Sequence, residues 1–267
     1  MFEHILVPLE GSPGDAQVAK IADILAGRWD ASIEVVSVLA HGEDTVDREG
    51  EIARQVATLE HRPTLTVRYV TYTVADSIAD EFDDQPNTLI IMGTAARSRG
   101  GAVVESVAEA VLEQTQSPAL LVGPHATVAD DWPSGELFVC TDGSSESEVI
   151  VGDAARWADA LDLRPWVITS ADPDEIPKDL GADFIETGHV SRVARKIGSL
   201  TGREAQFDVV HDDEPDEGIV RYVGDHAAAL IVVATHGRKG WARLVHGSVA
   251  MSIVHDAPCP VLTRLET

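Results

Sequence analysis

Residues 5–12 read ILVPLEGS, and the same pattern returns at residues 137–144 as LFVCTDGS. Near the end of each half, the segment SPALL at 117–121 likewise returns as CPVLT at 259–263. A pattern that recurs after about the length of a small domain indicates duplication of a whole structural unit. The 267 residues are therefore expected to fold as two related domains rather than one.

Within each half, short apolar runs alternate with segments of helical periodicity, which is typical of β–α–β units around a parallel sheet. The runs of the first half are predicted as strands at 5–9, 32–39, 65–70, 89–92 and 119–122. In the second half, the first strand is predicted directly after residue 136, and the others at 167–168, 207–210, 230–233 and 261–263. Helices are expected between the strands, among them 103–112 and one that starts at Val249.

The predicted fold class is therefore α/β, with two repeated, open, five-stranded parallel sheets of the Rossmann-like type. The domains are expected at 1–127 and 135–267. The segment between them, roughly 125–135, is rich in polar residues, Pro and Gly, and is predicted to be a linker.

Acidic residues outnumber basic ones, with 45 Asp and Glu against 20 Lys and Arg and a formal net charge of −25 at pH 7. Such a field repels polyanions, so binding to nucleic acid or to an anionic membrane is not expected. The acidic residues are spread along the chain, and lysine is scarce. This composition is typical of proteins that stay soluble in very high salt, where charges are screened to a Debye length of about 3 Å. We therefore expect a halophilic, haloarchaeal source.

The start of the chain shows no basic leader and no cleavage site, and no apolar run approaches the roughly 18 residues of a membrane span. Cys140 and Cys259 lie in apolar, strand-like segments and form no short metal or redox motif. They are expected to be buried free thiols in a reducing compartment. Together these features predict a cytoplasmic protein.

Ligands of open parallel sheets bind beyond the carboxyl ends of the strands, where the strand order reverses. Two segments of the second half suit that position, 141–144 after the first strand and 234–248 after the fourth. Glycine at 247 lets backbone amides approach a phosphate closely, and the helix from Val249 adds orphan donors and a positive dipole end. Ser248 can cap that helix or donate to a phosphate.

Positive charge is concentrated in the same loop, at Arg238, Lys239 and Arg243, against the acidic trend of the chain. Local basic residues in an acidic protein indicate an anionic ligand. A glycine-rich loop with a serine helix cap and no ligand remains the alternative. No Walker A sequence occurs anywhere in the chain.

Residues 234–248 read ATHG, nine further residues, then GS, and this resembles the G-x2-G-x9-G-[ST] nucleotide loop of the universal stress proteins. Ala234 stands where that loop has its first glycine. The strand that ends in Asp-Gly-Ser at 142–144 and the closing APCPVL at 257–262 also resemble that family. The resemblance covers nearly the whole chain, twice, and implies an open parallel sheet similar to that of the adenine nucleotide alpha hydrolases in each half.

By this resemblance, the second domain binds ATP, with Mg²⁺ accompanying the triphosphate. Asp142 would contact the adenosine end, and Val167 would line the adenine pocket. The residues that would cradle the phosphates are Gly237, Gly247, Ser248 and Val249. The other cofactor-binding residues that we expect are Thr141, Val233, Ala234 and Arg238.

The first half departs from the family pattern in its loop. Glu10 stands where Asp is expected, Ala96 replaces the central loop glycine, and Glu105 stands where Gly247 does in the repeat. A carboxylate at the start of a phosphate-binding helix competes with the ligand for the same donors and repels it. The first domain is therefore predicted to have a degenerate nucleotide loop that does not bind ATP in the family's manner.

No H-x3-H or C-x-x-C spacing predicts a transition-metal site, and no G-x-S-x-G elbow predicts a hydrolase. The acidic segment 211–214 superficially resembles a metal cluster. Acidic residues before Pro215 equally suit the start of a helix. No catalytic residue and no metal ligand is assigned.

The favoured function is that of an ATP-binding regulatory protein of the stress response. Two alternatives stay open: a nucleotide-free scaffold that acts through protein partners, and an enzyme that hydrolyses ATP slowly. The resemblance further implies that the halves pair as an internal pseudo-dimer through strands 119–122 and 261–263, and it leaves a homodimer of the chain open.

Overall fold

The strands that the sequence predicts are the buried elements of the fold. In strand β1, His4–Pro8, the three central residues are fully or almost fully buried, as a strand covered on both faces requires. In a computed structural model, the chain divides into a first unit, Met1–Pro124, and a second unit, His125–Thr267. The structure describes residues 1–83, 87–94, 107–115, 117–129, 131–145, 147–171, 182–235 and 249–265.

The first unit alternates strands with helices. After β1, its elements are α1 Asp15–Trp29, β2 Ser32–Leu39, α2 Thr45–Val56, β3 Thr64–Tyr69, α3 Val74–Asp83, β4 Thr88–Gly93, α4 Val107–Thr115 and β5 Ala119–Val122. All the strands pair in parallel, in the order β3-β2-β1-β4-β5. Helix α1 buries Val18, Ile21, Ala22 and Leu25 on one face, as their spacing predicts.

The second unit repeats the arrangement. Its elements are β6 Glu136–Cys140, a 3-10 helix Ser147–Ile150, α5 Val151–Leu161, β7 Arg164–Ala171, α6 Ala182–Thr201, β8 Gln206–His211, α7 Pro215–Gly224, β9 Ala228–Thr235, α8 Val249–Asp256 and β10 Val261–Leu265. The strands are again parallel, in the order β8-β7-β6-β9-β10. The predicted fold class, two α/β units with open five-stranded parallel sheets, is confirmed.

The strand order places a reversal point in each unit. In the second unit, β6 is central, with β7 on one side and β9 on the other. The register pairs Cys140, the last residue of β6, with Val233 of β9. The carboxyl ends of β6 and β9 therefore meet at the reversal, which is where ligands of such sheets bind.

Sequence periodicity predicts the strands more closely than the helices. Strands 32–39 and 119–122 have the predicted bounds, whereas helix α2 was not predicted. Its apolar stripe is thin, because Ile52 is its buried residue. The helix begins instead with a local signal, the Asp44 carboxylate, which accepts the Val46 amide at 2.8 Å. The helix predicted at 103–112 overlaps α4, and its first part lies outside the described residues.

The segment predicted as a linker packs on the second unit. Trp132 is 7% exposed, and its indole Nε1 donates to the carbonyl of Ala229 at 2.8 Å. The Thr127 amide donates to the carbonyl of Pro258. Composition indicates a break between domains but not the burial of one large aromatic side chain within it.

Two predictions from composition concern the thiols and the membrane. Cys140 and Cys259 are free and buried, as predicted, and burial raises the pKa of both thiols. Across the described ranges, no helix combines the length and the hydropathy needed to cross a membrane.

Candidate functional site

The site begins where β6 ends. Residues 141–145 with Ser147, here called the Thr141 turn, reverse the chain through Gly143, whose φ of +88° suits glycine. The Asp142 carboxylate accepts the Ser144 amide at 2.9 Å and the Ser144 hydroxyl at 2.6 Å. Ser144 Oγ in turn accepts the Ser147 amide at 3.0 Å. These bonds fix the Asp142 side chain at the exposed carboxyl edge of the sheet.

Thr141 is the buried centre of the turn, with 6% of its surface exposed. Its Oγ1 lies 2.8 Å from Ser147 Oγ and 3.1 Å from His189 Nε2, and it accepts the Gly143 amide at 3.3 Å. The hydroxyl therefore joins the turn to the 3-10 helix and to α6.

His189, on α6, is a functional candidate that the sequence did not predict. It is separated from Thr141 by 48 residues along the chain, and its Nδ1 lies 2.8 Å from the Arg192 guanidinium. Burial lowers the pKa of His189, as does the nearby Arg192, while Glu148 and Asp142 oppose this to a smaller extent. No local motif marks this residue, because only the packing of α6 brings it to the turn.

The predicted site residues that the structure describes on strands lie on β7 and β9. Val233 and Ala234 of β9 are 7% and 6% exposed, beside the end of β6. Val167 of β7 is fully buried and pairs with Val139, two residues before the Thr141 turn. Ser170, nearer the carboxyl edge of β7, has a buried hydroxyl without a hydrogen-bond partner among the described residues. The edge of β7 that faces the turn is therefore closer to Ser170 than to Val167.

Three residues predicted to cradle the phosphates, Gly237, Gly247 and Ser248, lie outside the described residues, as does the predicted cofactor-binding residue Arg238. The fourth predicted phosphate residue, Val249, is the first described residue of α8, and its side chain is 41% exposed.

The turn after β1 occupies the corresponding place in the first unit. In residues 10–15, here called the Asp15 turn, one carboxylate oxygen of Asp15 accepts the amides of Glu10, Gly11 and Ser12 at 2.9, 2.8 and 3.1 Å. The other oxygen accepts the Ser12 hydroxyl at 2.6 Å. Asp15 is 6% exposed, so the backbone donors of this turn are satisfied by the chain's own carboxylate.

Helix α2 closes the Asp15 turn from the other side. The Glu51 carboxylate lies 2.7 Å from the point where a Cβ on Gly11 would stand. The Arg48 guanidinium donates to the Glu10 carbonyl, and the Gln55 amide donates to the Ser12 carbonyl at 2.9 Å. On Gly143 of the second unit, the corresponding neighbour is the imidazole of His189, at 3.5 Å.

The acidic segment after β8 is explained by local structure. Pro215 occupies the first turn of α7, as the sequence predicts for a helix start. Asp212 accepts the Glu214 amide at 3.1 Å and pairs with Arg221. In the part of the chain that the structure describes, no group of three or more His, Cys, Asp or Glu is arranged to hold a metal ion.

Comparison with known proteins agrees with the duplicated fold. The sequence model of the universal stress protein family matches residues 1–123 and again 136–263. A universal stress protein of Mycobacterium tuberculosis is 26% identical over 238 residues, which cover 85% of this chain and 77% of that protein. One from Thermus aquaticus is 29% identical over 132 residues, covering 47% of this chain and 95% of its own length.

Among solved structures, a universal stress protein from Archaeoglobus fulgidus aligns over 100% of both chains, with a TM-score of 0.72 and 14% identity. At that identity the likeness concerns the fold. The family match over both halves carries the assignment: the chain belongs to the universal stress protein family and contains two of its domains in tandem.

Proposed function

We propose that the chain is a regulatory protein of the stress response whose second unit binds ATP at the carboxyl edge of β6 and β9. The observation that carries this proposal is the difference between the two turns. The Thr141 turn presents the Asp142 carboxylate beside hydroxyls and an imidazole, while the Asp15 turn is filled by its own carboxylates. The carboxylates at the centre of the Asp15 turn repel an anionic ligand, whereas hydroxyls and an imidazole take their place in the Thr141 turn.

The residues at the Thr141 turn suit the adenosine part of the ligand. Asp142 offers a carboxylate, which accepts hydrogen bonds from ribose hydroxyls or an exocyclic amine. Thr141 holds that turn, and the apolar Val233 and Ala234 lie beside it on β9. Ser170 adds a hydroxyl at the edge of β7, a better-placed contact than the buried Val167.

The phosphates are assigned to the loop before α8. This loop offers backbone amides at Gly237 and Gly247, a cation at Arg238 and a hydroxyl at Ser248. It leads into helix α8, whose dipole favours negative charge at its N-terminal end near Val249. Mg²⁺ would neutralise part of the triphosphate charge. The first unit is proposed not to bind ATP, because Asp15 occupies the amides of its turn and Glu105 stands at its loop.

We further propose a cytoplasmic location in a salt-loving organism, because of the net charge of the chain. A formal charge of −25 suits the cytoplasm of a salt-loving organism, in which high salt screens repulsion between carboxylates. Purification and binding experiments are therefore designed in molar KCl.

The test is the nucleotide content of the purified protein. The chain is isolated in molar KCl with Mg²⁺, denatured, and its released nucleotide is quantified by chromatography. We expect one adenine nucleotide per chain, lost in Gly247→Glu, which copies the first unit's loop residue into the second. The matched control is Glu105→Gln, in which the nucleotide content stays that of the unchanged chain.

Any other nucleotide content would contradict the proposal or favour one of the alternative functions. Two nucleotides per chain would contradict the interpretation of Glu105 and Asp15. Absence of nucleotide, together with no heat of binding at millimolar ATP, would reject the proposal and favour the scaffold. Release of phosphate that stops when Asp142 is replaced would instead identify the enzyme.

A further inference from the structure

The hydrogen bonds around His189 assign its tautomer. A guanidinium has only donors, so Arg192, at 2.8 Å, must donate to Nδ1 of the imidazole. The proton of the neutral ring therefore lies on Nε2. Nε2 is 3.1 Å from Thr141 Oγ1, and so the ring donates to the Thr141 hydroxyl.

The direction of the following bonds is then determined as well. The Thr141 hydroxyl, which accepts from His189, donates to Ser147 Oγ at 2.8 Å. Ser147 Oγ donates its own proton to the Ser144 carbonyl at 3.0 Å. A one-way chain of donors thus runs from Arg192 through the imidazole into the Thr141 turn. It ends on Ser144, the residue whose amide and hydroxyl hold Asp142.

A proton added to His189 can enter only at Nδ1, the atom that faces Arg192. Two donors and two positive charges would then lie against each other at the present distance of 2.8 Å. The pKa of His189 is lowered by its burial and by Arg192, which agrees with this geometry. Retaining the proton therefore requires the imidazolium and Arg192 to move apart.

Two nearby carboxylates, those of Glu148 and Asp142, favour the charged form of the ring and would receive the displaced imidazolium. Glu148, on the 3-10 helix, is already paired with Arg192 at 2.7 Å and with Lys196 at 3.6 Å. Asp142, on the turn, is the carboxylate that the proposed function assigns to adenosine. A cationic His189 that turns toward Asp142 competes with the ligand for it and breaks the bond that holds Thr141.

We propose that His189 is a proton-sensitive positioning residue of the second unit's site: as a neutral ring it holds the Thr141 turn for adenine-nucleotide binding, and its protonation weakens that binding. This inference rests on the proposed function and adds to it a dependence on pH. By linkage, bound nucleotide must in turn disfavour the proton on His189. The first unit has Glu51 in place of this histidine and no such dependence.

The experiment compares ATP affinity at pH 8.0 and pH 5.5 by calorimetry in molar KCl, for the unchanged chain and for His189→Gln. Glutamine can donate to Thr141 as Nε2 does but does not titrate. We expect the unchanged chain to lose about threefold to tenfold in affinity on acidification beyond what His189→Gln loses, while the variant is weaker at pH 8.0. The difference between the two profiles removes titration of the ATP phosphates.

A second variant tests the geometry. Arg192→Met removes the donor and the charge that oppose protonation, so it should move the midpoint of the His189 titration to higher pH. Imidazole nitrogen NMR on the ligand-free chain follows that midpoint and the Nε2–H tautomer directly, without any nucleotide.

The outcomes separate the two proposals. ATP binding with the same pH profile in the unchanged chain and in His189→Gln would overturn this inference and leave the proposed function intact. A neutral ring protonated on Nδ1 would overturn it as well. Absence of ATP binding at both pH values would reject the proposed function and the inference with it.

Discussion

The Asp15 turn and the Thr141 turn follow the first strand of their units, and each passes through a glycine with a φ near 90°, +90° at Gly11 and +88° at Gly143. In the Asp15 turn, the buried Asp15 carboxylate binds the backbone donors, and the Glu51 carboxylate packs against Gly11. In the Thr141 turn, the hydroxyl of Ser147 and the imidazole of His189 take the places of these two carboxylates. In this duplicated fold, carboxylates stabilise the centre of one turn, and hydroxyls with an imidazole stabilise the centre of the other, whose Asp142 lies at the exposed edge.

The largest effect is expected where the Asp15 turn depends on a single side chain. Asp15→Ala leaves three backbone amides and the Ser12 hydroxyl without their acceptor. We expect a loss of about 2 kcal/mol in the free energy of unfolding of the first unit, because four partly buried donors lose one shared acceptor. The matched change, Ser147→Ala, should cost the second unit about 1 kcal/mol.

Urea unfolding at constant KCl measures the loss of unfolding free energy in Asp15→Ala and in Ser147→Ala, and hydrogen exchange of individual amides distinguishes the two units. Asp15→Asn, which keeps an acceptor and loses the charge, should lie between the unchanged chain and Asp15→Ala. Equal losses in the Asp15→Ala and Ser147→Ala variants would show that the two turns do not differ in the way that their hydrogen bonds indicate.

The second prediction copies the chemistry of one turn into the other. Ser147→Asp combined with His189→Glu places carboxylates where the first unit has Asp15 and Glu51. We expect ATP binding to weaken about 30-fold, or about 2 kcal/mol, through repulsion of the ligand and competition for the amides. Calorimetry measures it against the uncharged pair Ser147→Asn with His189→Gln, which should lose about threefold. Similar losses in both pairs would mean that shape rather than charge separates the turns.

A third prediction uses the glycines. Alanine at either position takes a backbone conformation that disfavours side chains, at a cost of about 1 kcal/mol. At Gly11 the new Cβ would also meet the Glu51 carboxylate at 2.7 Å, whereas at Gly143 it would meet His189 at an ordinary 3.5 Å. Because the Glu51 carboxylate ends a flexible side chain that can shift, Gly11→Ala should destabilise its unit by only about 0.5 kcal/mol more than Gly143→Ala does. Urea unfolding of the two variants, side by side, would refute this if the costs are equal.

The sequence predicts the fold well because the fold depends on strands buried on both faces. Short apolar runs such as residues 5–9, bounded by turn signals, suit a strand buried on both faces, and the second copy of the pattern supports the same architecture. Helix α2 was missed because its stability comes from the Asp44 cap and from contacts of polar side chains, and not from an apolar stripe. The burial of Trp132 was missed because a single aromatic residue in a Pro- and Gly-rich segment has no periodicity.

The candidate site was only partly predictable. Asp142 and Thr141 are found by motif, because a glycine turn at a strand end is local in sequence. His189 and Glu51 are not, because each reaches its turn through the packing of a helix on the sheet. Periodicity identifies β7 as a strand but does not define whether Val167 or Ser170 lies nearer its carboxyl edge. The difference between the two turns is consequently a property of the tertiary structure.

The smallest effect that we expect is the contribution of His189 to the pH dependence of folding. Because burial and Arg192 lower the pKa of His189 in the folded chain below its usual value of 6.5, the unfolded chain takes up this proton more readily. The stabilising contribution of neutral His189 is then fully present above pH 6.5 and declines as the pH falls through 6.5 toward the lower folded pKa. The quantity to measure is the difference in unfolding free energy between the unchanged chain and His189→Gln, from pH 7.5 to 5.5. It should shrink with acidification, whereas a constant difference would mean that His189 supports the Thr141 turn by packing alone.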